Sequence, residues 1–302
     1  MAETPEVVLG LVERLGFERD SRLLIVNCDD LGVSHSANIA TYRAMTDGVA
    51  TSASLMVPCP WAREAAEMFA GLSVGVHLTL TSEYPAYRWR GLTNGKSLHD
   101  ADGFLVQTTA TAIAQVEIDE VYEECQAQIE TALAWGIDVT HLDAHMDVLH
   151  SRSDLYECYL TLASSFGVPV RAPSVEANQA LGINGREHAN SRGIETPDRL
   201  IYPWPARTKD VVLAEAVRMP AGVSEIFLHP VQDGEELRAY DCVFQRIRAH
   251  DAECLVDDEV RRVLECNGIK RVSYRDLRDL QRLRQVGPDL AGPCVPLSRR
   301  ER

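Results

Sequence analysis

The chain has 302 residues, 45% of them hydrophobic and 25% charged, with a formal net charge of −15. That is the make-up of a globular protein of one large domain or two small ones. So acidic a balance argues against a nucleic-acid surface or an anionic membrane as partner, and no apolar stretch reaches the roughly 20 residues that cross a bilayer.

Residues 1–20 read as a short helical lead-in. Glu3 and Glu6, with no basic-then-apolar pattern, predict no signal peptide and a cytoplasmic location. A first strand is expected over 22–27, where Leu23-Leu24-Ile25-Val26 runs into Asn27-Cys28-Asp29-Asp30. Further strands are expected near 50–57, 73–80, 138–143, 168–172, 224–229 and 270–274. Several are near-continuous apolar runs, as in a parallel sheet covered on both faces. Between them, 117–135 places Ile118, Val121, Tyr122, Cys125, Ile129, Ala132 and Leu133 on one helical stripe, and Gly136 stops it. Residues 257–267 open on Asp257-Asp258 and close on Asn267-Gly268, a second capped helix.

Two long stretches, 82–113 and 174–206, lack firm periodicity. They carry Tyr84, Tyr87, Trp89 and Phe104, and the cluster Tyr202-Pro203-Trp204-Pro205. These aromatics could stack on sugar rings or pack the loops onto the body of the fold. A tail is expected over 284–302, which leaves 21–283 as the main domain. The eight cysteines form no C-x-x-C pair and read as buried thiols of a reducing compartment.

Candidate chemistry gathers at strand ends. Adjacent, partly desolvated Asp29 and Asp30 would raise each other's pKa, a conflict that a bound metal ion relieves. The bland alternative is that Asp30 caps the next helix and Asp29 is solvated. His77 lies inside Val74-Gly75-Val76-His77-Leu78, where a core histidine would also fit. His141-Leu142-Asp143-Ala144-His145-Met146-Asp147, with two histidines and two aspartates, is a stronger signal, because two imidazoles plus a carboxylate with open positions suit a hydrolytic metal. Strands alternating with helices make this an α/β protein, either an open doubly wound sheet or a barrel. Sites spread over many strand ends favour the barrel, whose strand ends converge on one mouth.

These segments resemble the YdjC-like carbohydrate deacetylase family, which includes the chitooligosaccharide deacetylases. The matching stretches are Leu24 to Gly32, Gly48 to Val57, Gly75-Val76-His77-Leu78-Thr79-Leu80 and Thr140 to His145. Glu225-Ile226-Phe227-Leu228-His229-Pro230 and Val272-Ser273-Tyr274-Arg275-Asp276-Leu277 follow in the same order. The resemblance implies a distorted (β/α) barrel of about seven parallel strands in a single domain, removing acetyl groups from N-acetylated sugars. It implies one divalent ion, zinc or magnesium, held by Asp30, His77 and His145. Asp29 matches the family's general base, and its neighbouring position in the chain gives its side chain a different direction from that of Asp30.

His229, before Pro230, is the candidate proton donor to the leaving amine. Arg171, at the end of Val168-Pro169-Val170, would position Asp29 or a substrate oxygen, and His141 and Asp143 would orient the ligands. The expected partner is a small carbohydrate, with no nucleic acid or membrane, and a homo-oligomer stays open. Two departures stand out: Met146-Asp147-Val148-Leu149-His150 where many members continue a histidine-rich run, and Leu31 where the family has an aromatic. Hydrolysis of another amide or a phosphoester, or a non-catalytic sugar-binding barrel, are the alternative readings.

Overall fold

Arg22–Leu31 forms the longest strand, β1, in a computed structural model that describes residues 9–204 and 206–286. The other strands are β2 (Ser52–Leu55), β3 (Val74–Leu78), β4 (Leu142–Ala144), β5 (Arg199–Ile201), β6 (Gly222–Leu228) and β7 (Ile269–Arg271). Pairing is parallel throughout, in the order β4-β3-β2-β1-β6-β5. β6 takes one edge of β1 over residues 22–28, so the other edge is shared. β7 pairs with Arg22–Leu24 and β2 with Asn27–Leu31.

The sheet curls until its ends nearly meet. Val170 bridges to Leu142 of β4, and its N–H donates to the Glu195 carbonyl on the approach to β5. Seven parallel strands in a distorted barrel are expected, and seven are present among the described residues, but one differs in place. The segment 168–172 contributes a single bridge, because Pro169 has no N–H to extend a ladder. The strand found instead is β5, three residues inside a stretch that showed no periodicity. That stretch also holds helices Val175–Leu181 and Gly185–Ser191, and helix Thr109–Gln115 begins inside 82–113.

Side-chain alternation along β1 organises the interior. Leu24, Val26 and Cys28 face outward into the main core beneath the helices. Leu23 and Ile25 face inward and meet Val223, Tyr274 and Leu277 together with Leu11 and Val12 of the N-terminal helix Leu11–Arg14 and Leu15 just after it. This second core plugs the floor of the barrel. Each fully buried aliphatic there contributes on the order of 1.5–3 kcal/mol. Continuing upward, the same inner face carries Asn27 and then Asp29, so polar groups collect at the C-terminal mouth.

The helices foreseen at 117–135 and 257–267 are Ile118–Ala134 and Asp258–Cys266. The first buries Glu124 and Gln128 among its apolar stripe for a local reason. Gln128 exchanges hydrogen bonds with the backbone of Thr79, and Glu124 accepts from the amides of Leu92 and Thr93, tying the 82–113 loop down. Before β1 the described chain contains helix Leu11–Arg14, and helix Tyr274–Val286 closes it. From 287 onward the expected tail lies outside the described residues, as does Pro205. No described helix is long and apolar enough to cross a membrane.

The thiol expectation needs correcting. Cys28, Cys59, Cys125, Cys158 and Cys254 are buried and free, but Cys242 and Cys266 are exposed. Cys294 is outside the described residues.

Candidate active site

The inner-face positions of successive strands stack in layers above the apolar floor. Tyr274 is the lowest polar contact. Its hydroxyl donates to Glu225 Oε2 at 2.5 Å, and its ring stacks on His141 at 3.8 Å. That stacking requires Gly75, because a Cβ there would fall 2.4 Å from the His141 ring. Burial pushes the His141 imidazole down to about 3, so it stays neutral. Its neighbours are Tyr274 and Thr140 rather than a candidate ligand.

Arg171 forms the next layer. Its guanidinium donates to both oxygens of Asp29, at 2.6 and 2.7 Å, and to Glu225 Oε1 at 2.8 Å. Asn27 also donates to Asp29, at 2.8 Å. The fork geometry of arginine explains why this residue type serves here.

Asp30 comes to the mouth by a break in β1. Strict alternation would point it outward with Cys28, but the β1–β2 register slips between Cys28 and Leu31, and Asp30 takes φ +60°. Aspartate tolerates this left-handed conformation better than most residues. Its Oδ2 accepts from Arg248 at 2.7 Å. Its Oδ1 is buried with no hydrogen bond, 3.4 Å from His77 Nε2 and 3.3 Å from His145 Nδ1. Burial opposes ionisation of Asp30, yet the Arg248 guanidinium holds its carboxyl well below the usual range.

Both imidazoles are fixed from behind. His77 Nδ1 donates to Asp143 at 2.7 Å, and Asp143 also accepts from Ser54 at 2.6 Å. His145 Nε2 lies 3.0 Å from Glu83. Carboxylates that orient imidazoles in this way are characteristic of metal sites. Burial disfavours the protonated form of each ring, but Asp143 lifts His77 well above its usual value, and Glu83 lifts His145 to about 9. Carboxylates thus surround the two rings and favour a positive charge between them and Asp30, the place that a cation would take. An orphaned carboxylate oxygen facing two ring nitrogens is a donor set that a divalent cation fits. Asp30, His77 and His145 are mutually close enough to share one ion; Asp29, His77 and Asp143 form a second, overlapping trio.

These groups open into a cavity of about 590 Å³. His229 lines it, with Trp204 at 5.0 Å and Phe227 at 5.6 Å, and its backbone N–H donates to Asp251 at 2.9 Å. Burial pushes the His229 imidazole down to about 4. The loop aromatics divide. Tyr84, Tyr202 and Trp204 line the cavity. Trp89 packs inward and donates to Thr81, and Tyr87 donates to the Val33 carbonyl.

All eight sequence candidates lie within this stack. Those not anticipated are Glu83, Glu225, Asp241 and Arg248, while Asp147 belonged to the strand-end signal without a role of its own. Arg248 and Asp251 offered one signal: they fall three residues apart on the stripe of helix Gln245–Leu255 that also carries Leu255, where charge is unexpected.

The fold and site thus define a parallel α/β barrel with a buried Asp/His cluster of metal-binding type at its mouth. Residues 23–266 match the profile of the YdjC-like proteins, and the chain belongs to that family. A carbohydrate deacetylase of Thermus thermophilus is 41% identical over 175 residues, which cover 58% of this chain and 61% of the relative. Carbohydrate deacetylase 1 of Listeria innocua is 30% identical over 84% of this chain and 99% of its own length. Among solved structures, one from Enterococcus faecalis, described as a candidate cellobiose-phosphate cleavage protein, is 27% identical with a TM-score of 0.75. It covers 85% of this chain and 99% of its own.

Proposed function

We propose that this protein is a metal-dependent deacetylase of N-acetylated sugars or oligosaccharides. The observation that carries the reading is the unsatisfied Oδ1 of Asp30, buried between His77 and His145 and next to an Asp29 gripped by Arg171. The relatives named carbohydrate deacetylases support it. Asp30, His77 and His145 would hold one zinc or magnesium ion, leaving Asp29 uncoordinated.

An acetamide resists hydrolysis because its carbonyl is a weak electrophile and its amine a poor leaving group. A divalent ion supplies acidity to water and polarises the carbonyl. Asp29, fixed by Arg171 and Asn27, takes the proton of the attacking water. As the C–N bond breaks, His229 relays a proton to the departing nitrogen. Since His229 stands neutral in the free pocket, that proton derives from the attacking water, and with the water's second proton the products are acetate and the amine in its ammonium form. A phosphoester substrate would call for uncommitted cations, and the arginines at this site are already held by carboxylates.

The test is acetate release by the chain reconstituted with zinc or magnesium, across a panel of N-acetylated sugars. Release that chelator abolishes and either ion restores is the expected result. Absence of release across the whole panel, from protein shown to carry the ion, would reject the reading.

A further inference from the structure

Two guanidiniums reach the cavity, and neither is free. Arg171 is engaged by Asp29 and Glu225. Arg248 donates to Asp30 at 2.7 Å, to Asp241 at 2.8 Å and to the Tyr84 hydroxyl at 3.0 Å. The described residues around the cavity include no lysine and no third arginine, while Asp29, Asp30, Glu83, Asp147 and Asp241 all face it. One divalent ion added to this set still leaves an excess of negative charge. The chain's net charge of −15 adds a field that repels anions.

Two of these carboxylates are available to a ligand. The side chains of Glu83 and Asp147 are 20% and 40% exposed. One oxygen of each is engaged, by His145 and by His150, and the other makes no hydrogen bond among the described residues. Asp147 is held there at a conformational cost. Met146 and Asp147 are consecutive non-glycine residues with φ of 52° and 55°, a backbone state that persists only where surrounding contacts enforce it and that clusters at functional sites. Thr109 donates to the Met146 carbonyl and Ser151 to that of Asp147, fixing the turn. A third feature is the aromatic wall: Tyr202 and Phe244 are 51% and 39% exposed, and Trp204 packs 4.8 Å from Phe244.

We infer that the pocket takes an unphosphorylated amino-sugar chain and rejects sugar phosphates. A ring next to the scissile unit lies against Tyr202, Trp204 and Phe244, and its hydroxyl or ammonium groups meet Glu83 and Asp147. This rests on the deacetylase reading for the identity of the scissile unit. A phosphorylated disaccharide, the kind of compound in the Enterococcus relative's description, is one this pocket excludes.

The experiment is calorimetric titration of the zinc-loaded protein with a β-1,4-linked glucosamine disaccharide and with its 6-phosphate, alongside acetate release from the N-acetylated form of each. The unphosphorylated disaccharide should bind at least tenfold more tightly. Asp147→Lys should shrink or invert that ratio, and Asp147→Asn, which keeps a residue suited to left-handed backbone, should shrink it with the fold intact. Equal or tighter binding of the phosphate, binding of neither sugar, or a ratio unmoved in both variants overturns the inference. Discrimination in binding without acetate release from either sugar would instead reject the deacetylase reading alone.

Discussion

Arg171 reaches both carboxylate oxygens of Asp29, at 2.6 and 2.7 Å, from a chain segment that joins the sheet through one bridge. The acid at the end of the central strand is therefore aligned by the weakest wall of the barrel. Arg171→Lys keeps the charge for Glu225 but loses the planar fork. Turnover should fall on the order of 10²-fold, as expected when a reacting group is misplaced, with metal content unchanged. Elemental analysis beside acetate release checks this, and unchanged turnover would show that Asp29 needs no clamp.

The two adjacent acids should part in their variants. Asp30→Asn and His77→Ala each remove a donor from the convergent trio, so both should lose the ion. Asp29→Asn should retain it, because Asp29 is not one of that trio. The variant's amide cannot accept a proton from water, so turnover should drop roughly 10²-fold or more. Metal lost equally from Asp29→Asn and Asp30→Asn would make Asp29 a ligand, as in the overlapping trio with His77 and Asp143.

How much of this was legible in the sequence follows from where each group sits. Asp29, Asp30, His77, Asp143 and His145 are at the ends of apolar strands, where a polar residue is conspicuous. The turn of Asp30 into the mouth was not legible, since alternation gives no hint of the slipped register. Nor was the role of Arg248, 218 residues along the chain from Asp30: its place on the buried stripe of its helix is a signal, but nothing in the sequence says which acid it meets. Strand β5 has three residues, too few to show a period. The segment Val168-Pro169-Val170 had the composition of a strand, and only its proline betrays that it cannot pair fully.

His229 can be tested by changing the leaving group. If it relays a proton to the departing nitrogen, His229→Ala should slow amides by far more than activated esters. An ester's leaving group needs little protonation, so its hydrolysis still runs on Asp29 and the ion. The measurement is the ratio of amide to ester turnover in variant and parent. An equal loss on both substrates would make His229 a packing residue beside Trp204.

Asp251 offers a test of how the site's support is built. It is buried at 1% exposure under His229, accepting from that residue's backbone N–H and from the Thr208 hydroxyl. Burial raises its carboxyl to about 6, against an ordinary value of 3.8. A raised acid favours the protonated folded form, so the folded state carries no penalty below pH ~4. The penalty grows as pH climbs to about 6 and is constant above that, at about 3 kcal/mol for a two-unit shift. Asp251→Asn removes the titration. Its carbonyl can still accept from His229, and its amide can donate to Thr208 once that hydroxyl rotates. The variant should therefore unfold at higher denaturant than the parent at pH 7, with the gap closing as pH falls towards 4. Denaturation at pH 7, 5 and 4 decides it. A variant less stable than the parent at pH 7 would mean that the ionised carboxylate is itself part of what holds the His229 turn in place.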